Sequence, residues 1–261
     1  MCADVICNWR CALISMTRLC CRARTRVAIS VMLVVFAARN PPCFAFDSWG
    51  GSIGLTSDYL VRGISRSSHE PALQGDLHFG AASGLMGGLF ASSVRIAPGE
   101  RRDAELSAFI GYAWNRGGDW RARVLATHYS YPWDDAGSRY NYDELSVAAG
   151  YRDWLNIDLV YSPNAPRYIA YVGLTGVSAG SATISLISPW RRRFALTAGG
   201  GYSRLAGPDA TGYAYWSAGM LCDLAPWTLS VAYEDTNDAA KYLFFNAAAR
   251  RRAMVTLIRR F

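Results

Sequence analysis

The stretch "GLTSDYLVRGISRSSHEPALQGDLHFG", residues 54–80, decides the fold. Apolar and polar residues alternate along it with the period of a strand, break once at "SRSSHE", and resume the alternation. With a period of two, Ile53, Leu55, Tyr59 and Val61 share one face while Thr56, Asp58 and Arg62 share the other. In the second strand Leu73, Leu77 and Phe79 oppose Gln74, Asp76 and His78. A soluble sandwich alternates too, so the rest of the chain must decide between water and lipid outside the wall.

Beyond residue 50 the period is two almost everywhere, and no window carries a sustained helical stripe with capping residues at its start. Twelve strand segments follow, near 51–64, 70–82, 84–96, 103–115, 118–131, 140–152, 154–162, 180–188, 193–205, 211–222, 226–236 and 251–261. At about ten residues each, they match tilted strands that cross a bilayer. Their connections alternate between tight turns, such as "RD" at 152–153, and longer links, such as "PWDDAGSR" and 237–250. That asymmetry belongs to barrels with short periplasmic turns and longer extracellular loops, and with both termini on the short-turn side the strand number is even. The link 163–179 is ambiguous, because "RYIAYVGLTGV" also reads as a strand, which leaves 10 or 14 strands open.

Aromatic residues gather at strand ends, as Trp227 and Tyr233 do in "PWTLSVAYE" and Tyr112 and Trp114 do near 115. Interfacial girdles require that placement, and a soluble sandwich does not. The expected fold is therefore all-β, a single antiparallel transmembrane barrel over 46–261.

Residues 1–45 read as a signal peptide. Arg18, Arg22, Arg24 and Arg26 precede the apolar run "VAISVMLVVFAA" at 27–38, and small residues end the segment at Cys43 and Ala45. The run is too short for the roughly 20 residues of a spanning helix. Met16 offers an alternative start, because 1–15 lack the character of a basic leader. Six of the 27 basic residues and one of the 20 acidic residues lie in the leader, leaving 21 against 19. The apparent basicity of a nucleic-acid binder vanishes with it. Six of seven cysteines go as well, so Cys222 remains alone, and neither an internal disulfide nor a cysteine-based metal site can form. No cofactor is implied.

The last strand, "RRAMVTLIRRF", places Ala253, Val255, Leu257 and Phe261 on one face and Arg252, Met254, Thr256 and Arg260 on the other. It resembles the C-terminal strand by which outer-membrane proteins are recognised by the barrel-assembly machinery, with Phe261 as the signal. Arg259 departs from that pattern, although at the interface its head can snorkel to water.

The opening hairpin carries a broader resemblance. "GLTSDYLVRGISRSSHEPALQGDLHFGAASGLMGGLFASSV", then "ELSAFIGY" at 105–112, "YPWDDAGSRYNYDELSVAAGY" at 131–151 and "LVYSPN" at 159–164 resemble the TorF-type porins of proteobacteria. Between 165 and 250 only strand spacing survives. The resemblance implies an outer-membrane channel with no established substrate.

A charge facing hydrocarbon at mid-depth costs about 2–4 kcal/mol, so the strand charges are expected to line the interior. The pore-lining candidates are Asp58, Arg62, Gln74, Asp76, His78, Glu105, Arg121, Arg123, Glu144, Asp158, Arg193 and Glu234. Asp58, Arg62, Asp76 and His78 are close enough in the first hairpin to form one network. Mixed signs either set a transverse field across a wet constriction or pair off and plug the lumen.

The expected function is passive diffusion of small hydrophilic solutes across the outer membrane, with lipid and the assembly machinery as the other partners, and no enzymatic activity. The rivals are a structural or adhesion barrel and a lipid-hydrolysing barrel. For the latter, His128 beside Ser130 in "THYSY" is the sole candidate, about 6.6 Å apart on one strand face.

Overall fold

The last strand pairs with the first and closes the sheet on itself. The computed structural model describes residues 48–96, 102–115, 118–133, 140–169, 173–191, 193–207, 211–244 and 248–261, so the signal peptide lies outside the described residues. In chain order the strands are β1 (Ser48–Thr56), β2 (Leu60–Val61), β3 (Ile64–Ser65), β4 (Ala72–Gly80), β5 (Leu85–Val94), β6 (Asp103–Asn115) and β7 (Trp120–Ser130). They continue with β8 (Tyr142–Tyr151), β9 (Leu155–Ile169), β10 (Gly173–Arg191), β11 (Phe194–Leu205), β12 (Gly212–Leu224), β13 (Trp227–Thr236) and β14 (Arg252–Arg260). All except β2 and β3 form one closed antiparallel barrel of twelve strands, in which each is hydrogen-bonded to two neighbours.

Closure pairs every strand of the wall on both sides over the height of the barrel, which removes the open edges of a sheet there. At the seam Gly51 and Phe261 exchange both backbone hydrogen bonds, each 3.1 Å. The phenyl ring of Phe261 lies over Gly51, where a Cβ would come within 2.8 Å of it.

The pleat turns one face of each strand outward. Ile53, Leu55, Leu73, Leu77, Leu89 and Ile110 are all exposed on that face, as are Leu145, Leu159, Ile184 and Leu257. So large a continuous apolar exterior suits hydrocarbon rather than water. At the short-turn end the band is edged by aromatic pairs: Trp49 with Phe79 at 5.5 Å between ring centroids, Tyr112 with Trp114 at 4.8 Å, and Trp120 with Tyr151 at 4.8 Å. Arg259, the departure from the terminal-strand pattern, holds its guanidinium 5.8 Å from the Trp227 ring centre in this girdle.

Three expectations are corrected. The first strand ends at Thr56 rather than 64, and the next residues turn inward, so Tyr59 and Val61, expected to face out, are buried within the barrel. The cause is a tight turn between β2 and β3, in which Arg62 (φ +53) and Gly63 (φ +77) both take the left-handed conformation of a two-residue hairpin loop. The link 163–179 is neither loop nor separate strand, because β9 and β10 continue to Ile169 and from Gly173. Pro163, at the register shift, and Pro166, opposite Gly176, lie where β9 runs beside β10 beyond the height of β8, whose pairing with β9 stops at Tyr161. A strand flanked on one side tolerates proline because its other side needs no donor. Finally, one short helix, α1 (Asp238–Leu243), occurs in the 237–251 connection, with Asn237 as its cap and an ion pair between Asp238 and Lys241. Its Ala240 packs with Ile64, Leu205 and Tyr213, so the helix helps cover the inward hairpin.

Candidate functional site

The barrel interior holds most of the predicted polar residues. Gln74 and Asp76 on β4, Glu105 on β6, Arg123 on β7, Glu144 on β8, Asp158 on β9 and Glu234 on β13 are all buried on inward-facing positions. Arg121 and His78 are half-buried. Arg193 lies in the turn before β11 and is exposed, because the strand starts one residue later. Asp58 and Arg62 are not on a strand of the wall. They belong to the connection 57–71, which folds into the lumen.

Asp58 anchors that connection. Its carboxylate accepts hydrogen bonds from Ser65 Oγ (2.6 Å), Ser67 Oγ (2.9 Å) and Arg252 Nη1 of β14 (2.5 Å), and His69 Nδ1 lies at 3.1 Å. At the tip of the β2–β3 hairpin, Arg62 Nη2 meets Glu144 Oε1 of β8 at 2.7 Å. In the closed order of twelve, β14 and β8 are six strands apart, so the hairpin spans the lumen between opposite walls. Gly63 lies against the third side, where any Cβ would come within 2.6 Å of Thr236 Cγ2 and 3.0 Å of Tyr215 Cβ. Only a residue without a side chain passes there.

Beside the hairpin, Glu105 is fully buried and accepts the hydroxyls of Tyr59 (2.6 Å) and Tyr131 (2.5 Å). Both tyrosines lie outside the strands, and burial, reinforced by Glu105, pushes their phenols well above the ordinary value. They therefore remain protonated donors, which is what a buried carboxylate needs. Tyr129 and Tyr142 stack at 4.4 Å between centroids, and the Tyr129 hydroxyl reaches Glu144 Oε2 at 3.3 Å.

Nearer the short turns a second belt is built from the wall itself. Arg123 of β7, Ala148 of β8 and Asp158 of β9 stand in one row of paired residues. The small Ala148 lets Arg123 reach over it to Asp158, at 3.5 Å, a contact of charges rather than a formed hydrogen bond. Asn156 Nδ2 completes Asp158 at 2.7 Å. The next strands repeat the device nearer the long loops: Tyr215 lies across Gly201 and bonds Thr183 at 2.6 Å. Asp76 pairs separately with His78 Nδ1 (2.6 Å) and with the Ser52 hydroxyl. The expected single network of Asp58, Arg62, Asp76 and His78 is thus divided, because the connection 57–71 carries the first two away from the wall.

Above the hairpin, at the long-loop end, a cavity of about 260 Å³ is lined by Arg62, Arg66, Glu144, Arg167, Tyr142 and Tyr213 among others. Arg66, Arg252 and the inward tyrosines are the residues that sequence reasoning missed. Tyr129 and Tyr131 were detectable as aromatics on an inward phase, whereas Arg66 sits in a polar loop with no period to mark it.

On the outer face, His128 Nδ1 lies 2.8 Å from Asp143 Oδ1, and both are exposed. Ser130 makes no hydrogen bond to His128 among the described residues, so the geometry of a nucleophile and its base is not assembled. Nor does any group of three or more His, Cys, Asp or Glu capable of holding a metal occur among the described residues.

A family model described as "Bacterial protein of unknown function (Gcw_chp)" matches residues 46–260. No curated protein matches the sequence. Among solved structures, the NanC porin is similar at 9% identity and a TM-score of 0.51, over 81% of this chain and 98% of that one. An outer membrane channel from Pseudomonas putida F1 is similar at 13% identity and a TM-score of 0.50, over 85% and 99%. At such identities the likeness concerns the fold, which is that of outer-membrane porins and channels. The narrower resemblance to TorF-type porins gains no separate support from these matches.

Proposed function

Starting from a chain that belongs to the Gcw_chp family and folds as a porin-like barrel, we propose that it is an outer-membrane channel for passive diffusion of small hydrophilic solutes. The observation that carries this reading is the separation of the wall into an apolar exterior and an interior of charged and hydroxyl groups. A barrel with a purely structural task has no need to desolvate so many polar side chains in its lumen. In this reading the short turns face the periplasm and the cavity of about 260 Å³ is the extracellular vestibule. The β2–β3 hairpin is the constriction, and Phe261 is the group read by the assembly machinery.

Planar bilayers containing the refolded chain test the channel. Discrete current steps are expected, and a membrane that stays silent at every voltage overturns it.

The hairpin favours one second reading, a closed structural barrel, because it is tied to opposite walls by Asp58–Arg252 and Arg62–Glu144. Deleting residues 59–66 separates the two. A silent full chain with a conducting deletion variant supports the closed barrel, whereas steps in both support the channel.

A further inference from the structure

Among the described residues, the vestibule lining holds more positive charge than its carboxylates balance. Arg62, Arg66 and Arg167 contribute guanidiniums to its lining, and Glu144 is the carboxylate among the lining residues. Glu144 is already engaged by Arg62 at 2.7 Å. Arg167 donates Nη1 to the carbonyl of Ala206 at 2.8 Å, a neutral partner, and forms no ion pair among the described residues. Arg66 forms no ion pair among the described residues, and its Nε is buried without a hydrogen-bond partner, as is the Nε of Arg62. The nearby acids are spent: Glu105 accepts from Tyr59 and Tyr131, and Asp58 is held by Arg252 and His69.

Burying a guanidinium with open donors is costly unless an acceptor reaches it. Its planar fork matches the paired oxygens of a carboxylate or phosphate better than any neutral group. We propose that the vestibule is a binding site for small oxyanions, centred on Arg66 with Arg62 and Arg167 at its sides. The site deepens the channel reading, on which it rests, by naming the class of solute held at the entrance.

The test is isothermal titration calorimetry of the refolded, detergent-solubilised barrel with inorganic phosphate, with acetate, and with glucose as the neutral control. Binding of phosphate, acetate or both is expected, without binding of glucose. Arg66→Gln should weaken it by roughly tenfold or more, the scale of one charge-assisted bidentate contact. Arg152→Gln removes the same charge at the exposed short-turn end, where it pairs with Asp119, and should change it by less than roughly twofold because of screening.

Equal losses in the two variants would reduce the effect to net charge and overturn the site, as would a full chain that binds neither anion. Should Arg66→Gln fail to reach the folded, heat-modifiable form, Arg167→Gln serves instead, and undiminished binding there overturns the proposal. Oxyanion binding by a barrel that passes no current would sink the channel reading and keep the site. Current steps without oxyanion binding would sink the site alone.

Discussion

The lumen is filled by different means in its two halves. At the long-loop end the filling is imported: a connection leaves the wall after β1, crosses the interior, and is fastened to β14 and β8. At the short-turn end it grows from the wall, where Arg123 lies across the small Ala148 to reach Asp158, and the device recurs further up the wall, where Tyr215 lies across Gly201 to reach Thr183. The first arrangement lies outside the paired positions of the barrel strands, so it can be altered without changing a strand. The second can be changed only by altering strands.

The sharpest way to break this contrast is Asp58→Ala. Arg252, nearly buried, would lose its carboxylate while the Ser65 hydroxyl loses its acceptor. Stranding a buried charge costs about 3–5 kcal/mol. Urea unfolding of the refolded protein should show that loss, and conductance should rise as the hairpin comes away. Unchanged stability together with unchanged current would mean that the connection is not held through Asp58.

The matching change in the wall-grown filling is Gly201→Ala, whose Cβ would fall 2.4 Å from the Tyr215 ring and hydroxyl. The ring must swing off Thr183, at a cost of about 1–3 kcal/mol for overpacking. Gly180→Ala, where the nearest atom is 3.9 Å away, serves as the control and should be close to neutral in the same unfolding experiment.

How much of each half was legible follows from the same distinction. The wall-grown belt obeys the period of two, so Arg123, Asp158, Glu105 and Glu144 could be assigned to the interior from alternation alone. The imported hairpin obeys that period as well, and for that reason it was misread. Tyr59 and Val61 alternate with Asp58 and Arg62 whether the chain runs on as a strand or doubles back, and only "RG" at 62–63 hints at the turn. Once the chain turns, its partners are set by closure of the barrel rather than by neighbours in sequence. Tyr59 meets Glu105 and Arg252 meets Asp58 across long separations that no local pattern encodes. Length misled in the opposite sense at β9 and β10, whose residues beyond 162 and before 180 read as one ambiguous link.

A finer test separates the hairpin's backbone from its charge. Arg62→Ala and Arg62→Gly both remove the contact to Glu144, but only glycine relaxes a residue held at φ +53. The glycine variant should be the more stable of the two by about 1 kcal/mol in urea unfolding. Equal stabilities would show that the turn is reshaped once its ion pair is gone.

The smallest effect is expected outside the lumen altogether, at His128→Ala. His128 and Asp143 are each more than half exposed, at 56% and 53%, so solvent and salt screen their pairing. The loss should stay below about 1 kcal/mol in urea unfolding. The same variant bears on the rival chemistry. A lipid-hydrolysing barrel needs a base on its outer face that takes a proton from a serine, and His128 spends its Nδ1 on Asp143 without bonding Ser130 among the described residues. Release of fatty acid by the wild type that disappears in the variant would show that the two residues close up in lipid, and it would move the functional centre from the lumen to the outer wall. No release by the wild type overturns the lipid-hydrolysing reading and leaves the proposed channel to be tested at the lumen.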